Sequence, residues 1–223
     1  MLRRFEIYPV DPAASDAAKA AMTIGIRDCG KYVPELLHSA IGHAESETTL
    51  NFVWEHAYAS PRAYQRYMAH PYHAAILDRF LLNDSPEQII LANDYGLGLV
   101  GYDIETPDYL LPAGAARRVV ALQLAQGVEQ RFAAIAAEEA QRGAMINSIF
   151  QYNSFAARWF DGETETGLPT NWTHLWEQGF ATMAAARAFQ PQWREMAGDS
   201  VIDAIELLYE VEAGFGYPQA AGG

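Results

Sequence analysis

From Leu50 to Tyr58 the chain alternates large residues (Leu50, Phe52, Trp54, His56, Tyr58) with Asn51, Val53, Glu55 and Ala57. A period of two is the signature of a strand with two different faces. Ser60-Pro61 predicts a helix immediately afterwards, with serine as cap and proline at the first helical position. Tyr64, Tyr67 and Met68 share the inward stripe of that helix. Pro71 must end it, because a residue before proline is pushed out of the α region. A second helix capped near His70 is expected next, with His73, Leu77, Phe80 and Leu81 at helical spacing. His73 then points inward with the leucines, and His70 sits at the junction.

Towards the N-terminus, Arg3 to Val10 predicts a strand, Asp16 to about Cys29 a helix capped by Ser15 and stopped by Gly30, and Leu36 to Gly42 a short strand. Asn83 to Gly114 is rich in Gly, Pro and Asp; it holds Ile89 to Leu91 and a closing strand within Tyr95 to Ile104, then a boundary near Pro107 to Gly114. Beyond it come strands at Arg117 to Leu124, Met145 to about Phe160 and Trp172 to Phe180, helices at Val128 to Arg142 and Met183 to Ala197, and an apolar segment from Val201 to Val211. Trp54-Glu55-His56-Ala57-Tyr58 is echoed by Trp176-Glu177-Gln178-Gly179-Phe180, position 176 answering to 54, and Arg3-Arg4 by Arg117-Arg118. Both halves therefore read β-α-β-β-α-β, the ferredoxin-like order. The expected fold is α+β, two such repeats whose antiparallel sheets face each other as an intrachain version of a dimeric α/β barrel. The domains are residues 1–106 and 115–217, joined by a linker at 107–114 and trailed by a tail at 218–223.

A formal charge of −13 over 223 residues leaves no basic stripe for nucleic acid or an anionic membrane surface. No apolar run approaches membrane-spanning length, and the N-terminal residues lack the pattern of a signal peptide. A soluble, cytoplasmic protein is expected, with a homodimer of the fused chain as a possible assembly. The single cysteine, Cys29, excludes an internal disulfide and a cysteine-based cluster. No Gly-x-Gly-x-x-Gly run cradles a phosphate. The expected protein is colourless, metal-free and without cofactor.

An imidazole on an apolar stripe with a tyrosine on the same side is what a buried acid/base site needs, the phenol donating to a developing oxyanion. His73, Tyr67 and His56 are the catalytic candidates. Trp54, Phe52, Tyr64, Leu77, Phe80 and His174 are the candidate substrate contacts, and no residue is assigned to a metal. The competing reading makes His73 and Tyr67 a core pair that merely satisfy each other. The second half has diverged where chemistry would sit: Gln178 answers to His56, Phe189 to Tyr67, Glu195 to His73 and His174 to Phe52. Matching the two prolines, Pro71 and Pro191, sets Trp193 against His73 instead. The aromatic set of Phe150, Tyr152, Phe155, Trp159, Phe160, Trp172 and Trp176 reads mainly as core, and Asp161 to Pro169 as an acidic hairpin loop.

Gly30-Lys31-Tyr32-Val33-Pro34, the strand Phe52 to Tyr58 and the run Tyr67-Met68-Ala69-His70-Pro71-Tyr72-His73 resemble the stress-responsive dimeric α/β-barrel (Dabb) family over about residues 2 to 105, with the second half a more distant copy. In a plant cyclase of that family, a tyrosine and the last histidine of this run carry out cofactor-free aldol cyclisation of a polyketide. The resemblance places those roles on Tyr67 and His73. A further pocket histidine of the cyclase falls on Phe52 here, and His56, two residues along the same face, is its substitute. The resemblance implies a cofactor-independent enzyme, a lyase, cyclase, dehydratase or isomerase, in which His73 removes a proton from an aromatic or polyketide-like molecule. The alternatives are a non-catalytic ligand-binding or structural barrel and, third, a haem or metal barrel for which His174 is the best ligand. His70 and His73 lack a third zinc ligand at helical spacing.

Overall fold

A computed structural model describes residues 1–46, 49–81, 85–91, 99–154 and 172–218. It has an α+β fold of two antiparallel sheets with helices. The elements of the first half are β1 (Leu2–Tyr8), α1 (Asp16–Asp28), β2 (Leu36–His43), β3 (Phe52–Tyr58), α2 (Pro61–Met68) and β4 (Leu99–Asp103). Those of the second are β5 (Ala116–Leu124), α3 (Glu129–Arg142), β6 (Met145–Tyr152), β7 (His174–Phe180), α4 (Met183–Ala188), α5 (Trp193–Ala197), β8 (Val201–Glu210) and the two-residue β9 (Glu212–Ala213). One sheet has the order β4-β1-β3-β2-β9 and the other β6-β7-β5-β8.

The period-two pattern has its physical reason in two separate cores. Leu2 and Tyr8 of β1, with Phe52, Trp54 and Tyr58 of β3, pack against α1 and α2. Their neighbours Phe5, Ile7 and Val53 face the other way, onto Val119, Ala121, Leu175 and Leu207 of the second sheet. Val120, Leu122 and Trp176 of that sheet turn in turn towards Phe132 of α3 and Trp193 of α5. Strands covered on both faces bury every residue, as β1, β3 and β7 do. In the segment that joins the halves, Leu111 is fully buried in the core shared by the two sheets, and Tyr109 is fully buried against Arg3 and His38.

The caps behave as their chemistry dictates: Ser15, Ser60 and Thr182 each accept a hydrogen bond from the backbone N–H three residues on. Three expected elements differ. The segment after Pro71 starts as α-helix at Pro71 and Tyr72, capped by His70, whose Nδ1 accepts from the Tyr72 N–H at 3.1 Å, but continues as a π-helical turn, His73–Leu77, and a 3-10 turn, Asp78–Phe80. The helix expected over Met183 to Ala197 is split into α4 and α5, because Phe189, just before Gln190-Pro191, is extended (ψ 121°). β6 ends at Tyr152. The acidic segment Asp161 to Pro169, together with Phe155, Trp159 and Phe160, lies outside the described residues, as does the start of the expected closing strand at Tyr95. Among the described residues no helix is long and apolar enough to cross a membrane.

Between the sheets four charges are buried together. Arg3 pairs with Glu55 and lies 3.2 Å from Glu177, and Arg117 lies 3.1 Å from Glu55 and pairs with Glu177; none of the four side chains is exposed. Tyr217 donates to Glu55 at 2.6 Å and Tyr209 at 3.4 Å, while Tyr102 donates to Glu177. Burial alone would push the Glu55 carboxyl up, but Arg117 and Arg3 outweigh it and hold the group below the usual range.

Gly42 on β2 lies under the Tyr209 ring, where a Cβ would overlap it. Gly42→Ala should therefore force apart two buried layers and lower stability by about 1–3 kcal/mol. Urea denaturation measures this, and an unchanged midpoint would refute the close packing.

Candidate active site

Strand alternation sets Glu6 and Tyr8 of β1 beside Trp54 and His56 of β3 on the helix-facing side of the first sheet, Glu6 directly across from Trp54 in the register. Met22 and Ile26 of α1, Tyr67 of α2 and His73, Leu77, Phe80 and Leu81 of the turns close the space above them. Together they enclose a cavity of about 10 Å3, room for one water molecule.

The sequence-derived pair meets here. The Tyr67 and His73 rings stand edge to face with centroids 4.8 Å apart, and Tyr67 also meets Trp54 edge to face at 6.1 Å. His73 Nδ1 is 3.5 Å from Asp78 Oδ2, one π-turn further along the chain. Burial drives the Tyr67 phenol well above its ordinary pKa, so it stays a proton donor.

A second group lies beneath. Tyr8 donates to Glu6; His56 Nε2 stands 3.4 Å and Arg4 3.7 Å from Glu6 Oε1. Burial pushes the Glu6 carboxyl up, yet His56, Arg4 and His73 pull it further down, below the usual range, so it is ionised at neutral pH. His56 is lowered to about 4, by burial first and by the arginines, against the opposing pull of Glu6. The ring is therefore neutral at pH 7. With the carboxylate at Nε2, the favoured tautomer carries its proton there, and Nδ1 accepts from the Tyr58 hydroxyl at 2.9 Å. Trp54 stacks flat on the His56 ring at 4.1 Å and anchors its own Nε1–H on Ser39 Oγ.

Of the residues expected in a site, Tyr67, His73, Trp54, Leu77 and Phe80 line the cavity. His56 does not line the cavity: it is fully buried, stacked on Trp54 and 3.4 Å from Glu6. Phe52 stacks on Tyr8 and lines a neighbouring groove. Tyr64 lies apart from the cavity, its ring covering the Arg4 guanidinium at 4.2 Å. His174 belongs to the second sheet, stacked on Phe150 at 5.1 Å with Nδ1 2.9 Å from Thr173 Oγ1. Among the described residues no group of three or more His, Cys, Asp or Glu could hold a metal ion. In the second half Gln178 stands across from Arg118 as His56 stands across from Arg4. Buried Trp193 there fills the space against Phe132 and Trp176.

Sequence reasoning missed Glu6, Tyr8, Met22 and Asp78. Glu6 carried a usable signal: applying the alternation of β3 to β1 puts Leu2, Arg4, Glu6 and Tyr8 on one face, and a carboxylate on a face that is buried needs a reason. A groove of about 580 Å3 lies along β8, and its charges are paired, Arg118 at 3.1 Å and Arg194 at 3.7 Å from Glu206 and Glu45 with Arg187 beside it.

No protein-family model matches the chain, and no curated protein does. Its structure is similar to that of a candidate monooxygenase from Lactobacillus acidophilus NCFM, with a TM-score of 0.56 at 9% identity over 97% of this chain and 96% of that one. A candidate monooxygenase from Fusobacterium nucleatum gives 0.56 at 9% over 97% of each chain. An anthrone oxidase-like protein gives 0.59 at 14%, over 99% of this chain and 96% of that one. At such identities the likeness is one of fold, and it extends over almost the whole length of each protein.

Proposed function

We propose that the chain is a small-molecule enzyme built from two ferredoxin-like repeats, residues 1–106 and 115–217, and that it removes a proton from an aromatic or polyketide-like substrate without a cofactor. The observation that carries this reading is the meeting of Tyr67 and His73 on a cavity whose floor is the Glu6 carboxylate. His73 Nε2 takes the proton from a C–H beside a carbonyl or from a phenol. The electron pair left behind settles on the substrate oxygen, where the Tyr67 hydroxyl donates to it. Asp78, 3.5 Å from Nδ1, orients the ring so that Nε2 is left for the substrate. Glu6 repels an oxyanion, so the oxygen turns towards Tyr67 and a substrate hydroxyl is the group suited to Glu6. Lyase, cyclase, dehydratase and isomerase outcomes all begin with this step.

A second outcome is supported by the names of the structural neighbours: an enolate or phenolate is electron-rich and can be oxidised by dioxygen. Both begin with the same proton removal, which is measured by NMR as deuterium exchange at the acidic C–H of anthrone in D2O. The protein should accelerate exchange; Tyr67→Phe should lose on the order of a hundredfold, and His73→Ala nearly all of it. If the folded wild-type protein leaves exchange at its solvent rate, the reading is wrong. If both variants exchange normally and only lose about 1–3 kcal/mol of stability, the pair is a core contact and the barrel a binding or structural protein.

A further inference from the structure

A cavity that holds one water cannot hold a ring system, and the space a substrate needs lies next to it. On the other side of Met22 is an open groove of about 380 Å3, within the usual range for small-molecule sites. Met22 lines both the groove and the cavity and is 1% exposed, so its side chain is the partition between them. A row of rings runs along the same path. His43 meets Phe52 edge to face at 5.4 Å at the groove, Phe52 stacks on Tyr8 at 6.4 Å, and Tyr8 reaches Glu6 inside the cavity. The residues on this path differ in how firmly they are held. Tyr8 is fixed by its hydrogen bond to Glu6, and Asn51, at the groove, by two hydrogen bonds with the Val10 backbone. Met22 has only van der Waals contacts, with three rotatable side-chain bonds and no polar bond to break.

The charge of the groove is equally informative. In a chain of net charge −13 its lining contains no carboxylate and does contain Lys19. The Lys19 ammonium donates to the Pro12 carbonyl at 2.9 Å, which leaves further N–H donors. Among the described residues its one side-chain hydrogen bond is that to Pro12.

We infer that the groove and the cavity are two halves of one ligand site, divided by a movable Met22, and that it takes an elongated aromatic acid whose carboxylate meets Lys19 while the ring end passes Met22 towards Glu6. The inference rests on the proposed function for what happens at the inner end and extends it to the substrate class. Binding, however, is measured without turnover. With 2-naphthoate as probe, the methionine methyl resonances should be recorded in [13C-methyl]methionine-labelled protein while affinity is titrated by calorimetry. The Met22 methyl should shift on binding, and 2-naphthamide, which has the same shape without the charge, should bind about tenfold more weakly. Lys19→Gln should weaken 2-naphthoate by a similar factor and remove the discrimination, whereas Met22→Ala should bind at least as tightly as the wild type. Equal affinity for acid and amide, or a Met22 methyl that does not move at saturation, would overturn the assignment. The same titration on His73→Ala separates the two readings. Retained binding there with no exchange activity in the wild type would leave the ligand site standing and remove the proposed chemistry. Wild-type exchange activity with no charge discrimination would do the reverse.

Discussion

Glu55→Ala should cost the fold about 3–5 kcal/mol, a large part of the 5–15 kcal/mol that is typical of a whole domain. Glu55 balances Arg3 and Arg117 and accepts from Tyr209 and Tyr217, all buried. Removing it leaves two guanidinium groups with only Glu177 between them, out of reach of water, and takes an acceptor from two tyrosine hydroxyls. The damage lies in the broken balance and not in the absence of charge. Replacing Arg3 and Glu55 together by leucines should therefore be milder than Glu55→Ala by itself. Denaturant titration of the two variants measures the difference, and a Glu55→Ala protein within about 1 kcal/mol of wild type would mean that water or rearrangement compensates the cluster.

The second large effect is one of pH. His56 in the unfolded chain gains a proton near its ordinary value of 6.5, whereas the buried ring resists it down to about 4. Between those values the unfolded state binds more protons than the folded one, so stability falls as the pH is lowered through this window, by about 3 kcal/mol if the whole shift is expressed. Above pH 6.5 the ring is neutral in both states and contributes no slope. Glu6 acts in the same direction lower down. Its carboxyl is held below the usual range, so its contribution is present above the unfolded value and is lost as the pH falls through the folded one. His38 and His174, both lowered chiefly by burial, add slopes of the same sign, which is why the test is a difference. His56→Gln removes one titration, and the chain supplies its own precedent in Gln178 across from Arg118. Melting temperature against pH should be flatter for the variant than for the wild type between 6.5 and 4. Parallel curves would show that His56 becomes protonated in the folded state at its ordinary pKa.

Much of this arrangement is legible in the residues. The alternation from Phe52 to Tyr58 separates two cores because both faces of that strand are covered, and Ser60-Pro61 starts α2 where a cap and a pre-set φ should. Spacing alone brings Tyr67 and His73 together, although the segment carrying His73 is a π-helical turn: with i and i+4 near each other in either helix type, the pattern identifies the face and not the winding. What stays hidden depends on contacts between distant segments. Arg3 and Glu55 are visible as echoed by Arg117 and Glu177, at two different offsets, but nothing in the echoes says that four charges meet in one place. Glu6 escapes because a carboxylate within a strand looks like a solvated position until both faces are known to be buried. Tyr64 shows the opposite error: an inward tyrosine beside Tyr67 is expected to meet a ligand and instead covers a guanidinium.

The reciprocal tyrosines between the sheets bear on synthesis as well. Glu55 belongs to the first half but is capped by Tyr209 and Tyr217 of the second, and β2 gains its edge partner from β9, with Ser39 bonded to the backbone at Gly214 and Phe215. A ribosome adding about 5–20 residues per second needs on the order of 10–30 s to proceed from position 55 to position 217. Until then the nascent first half holds Glu55 with Arg3 but without its two capping tyrosines, and a sheet edge without β9. Such a half cannot settle vectorially as a finished unit, and the pause before its completion is when chaperone engagement would matter most.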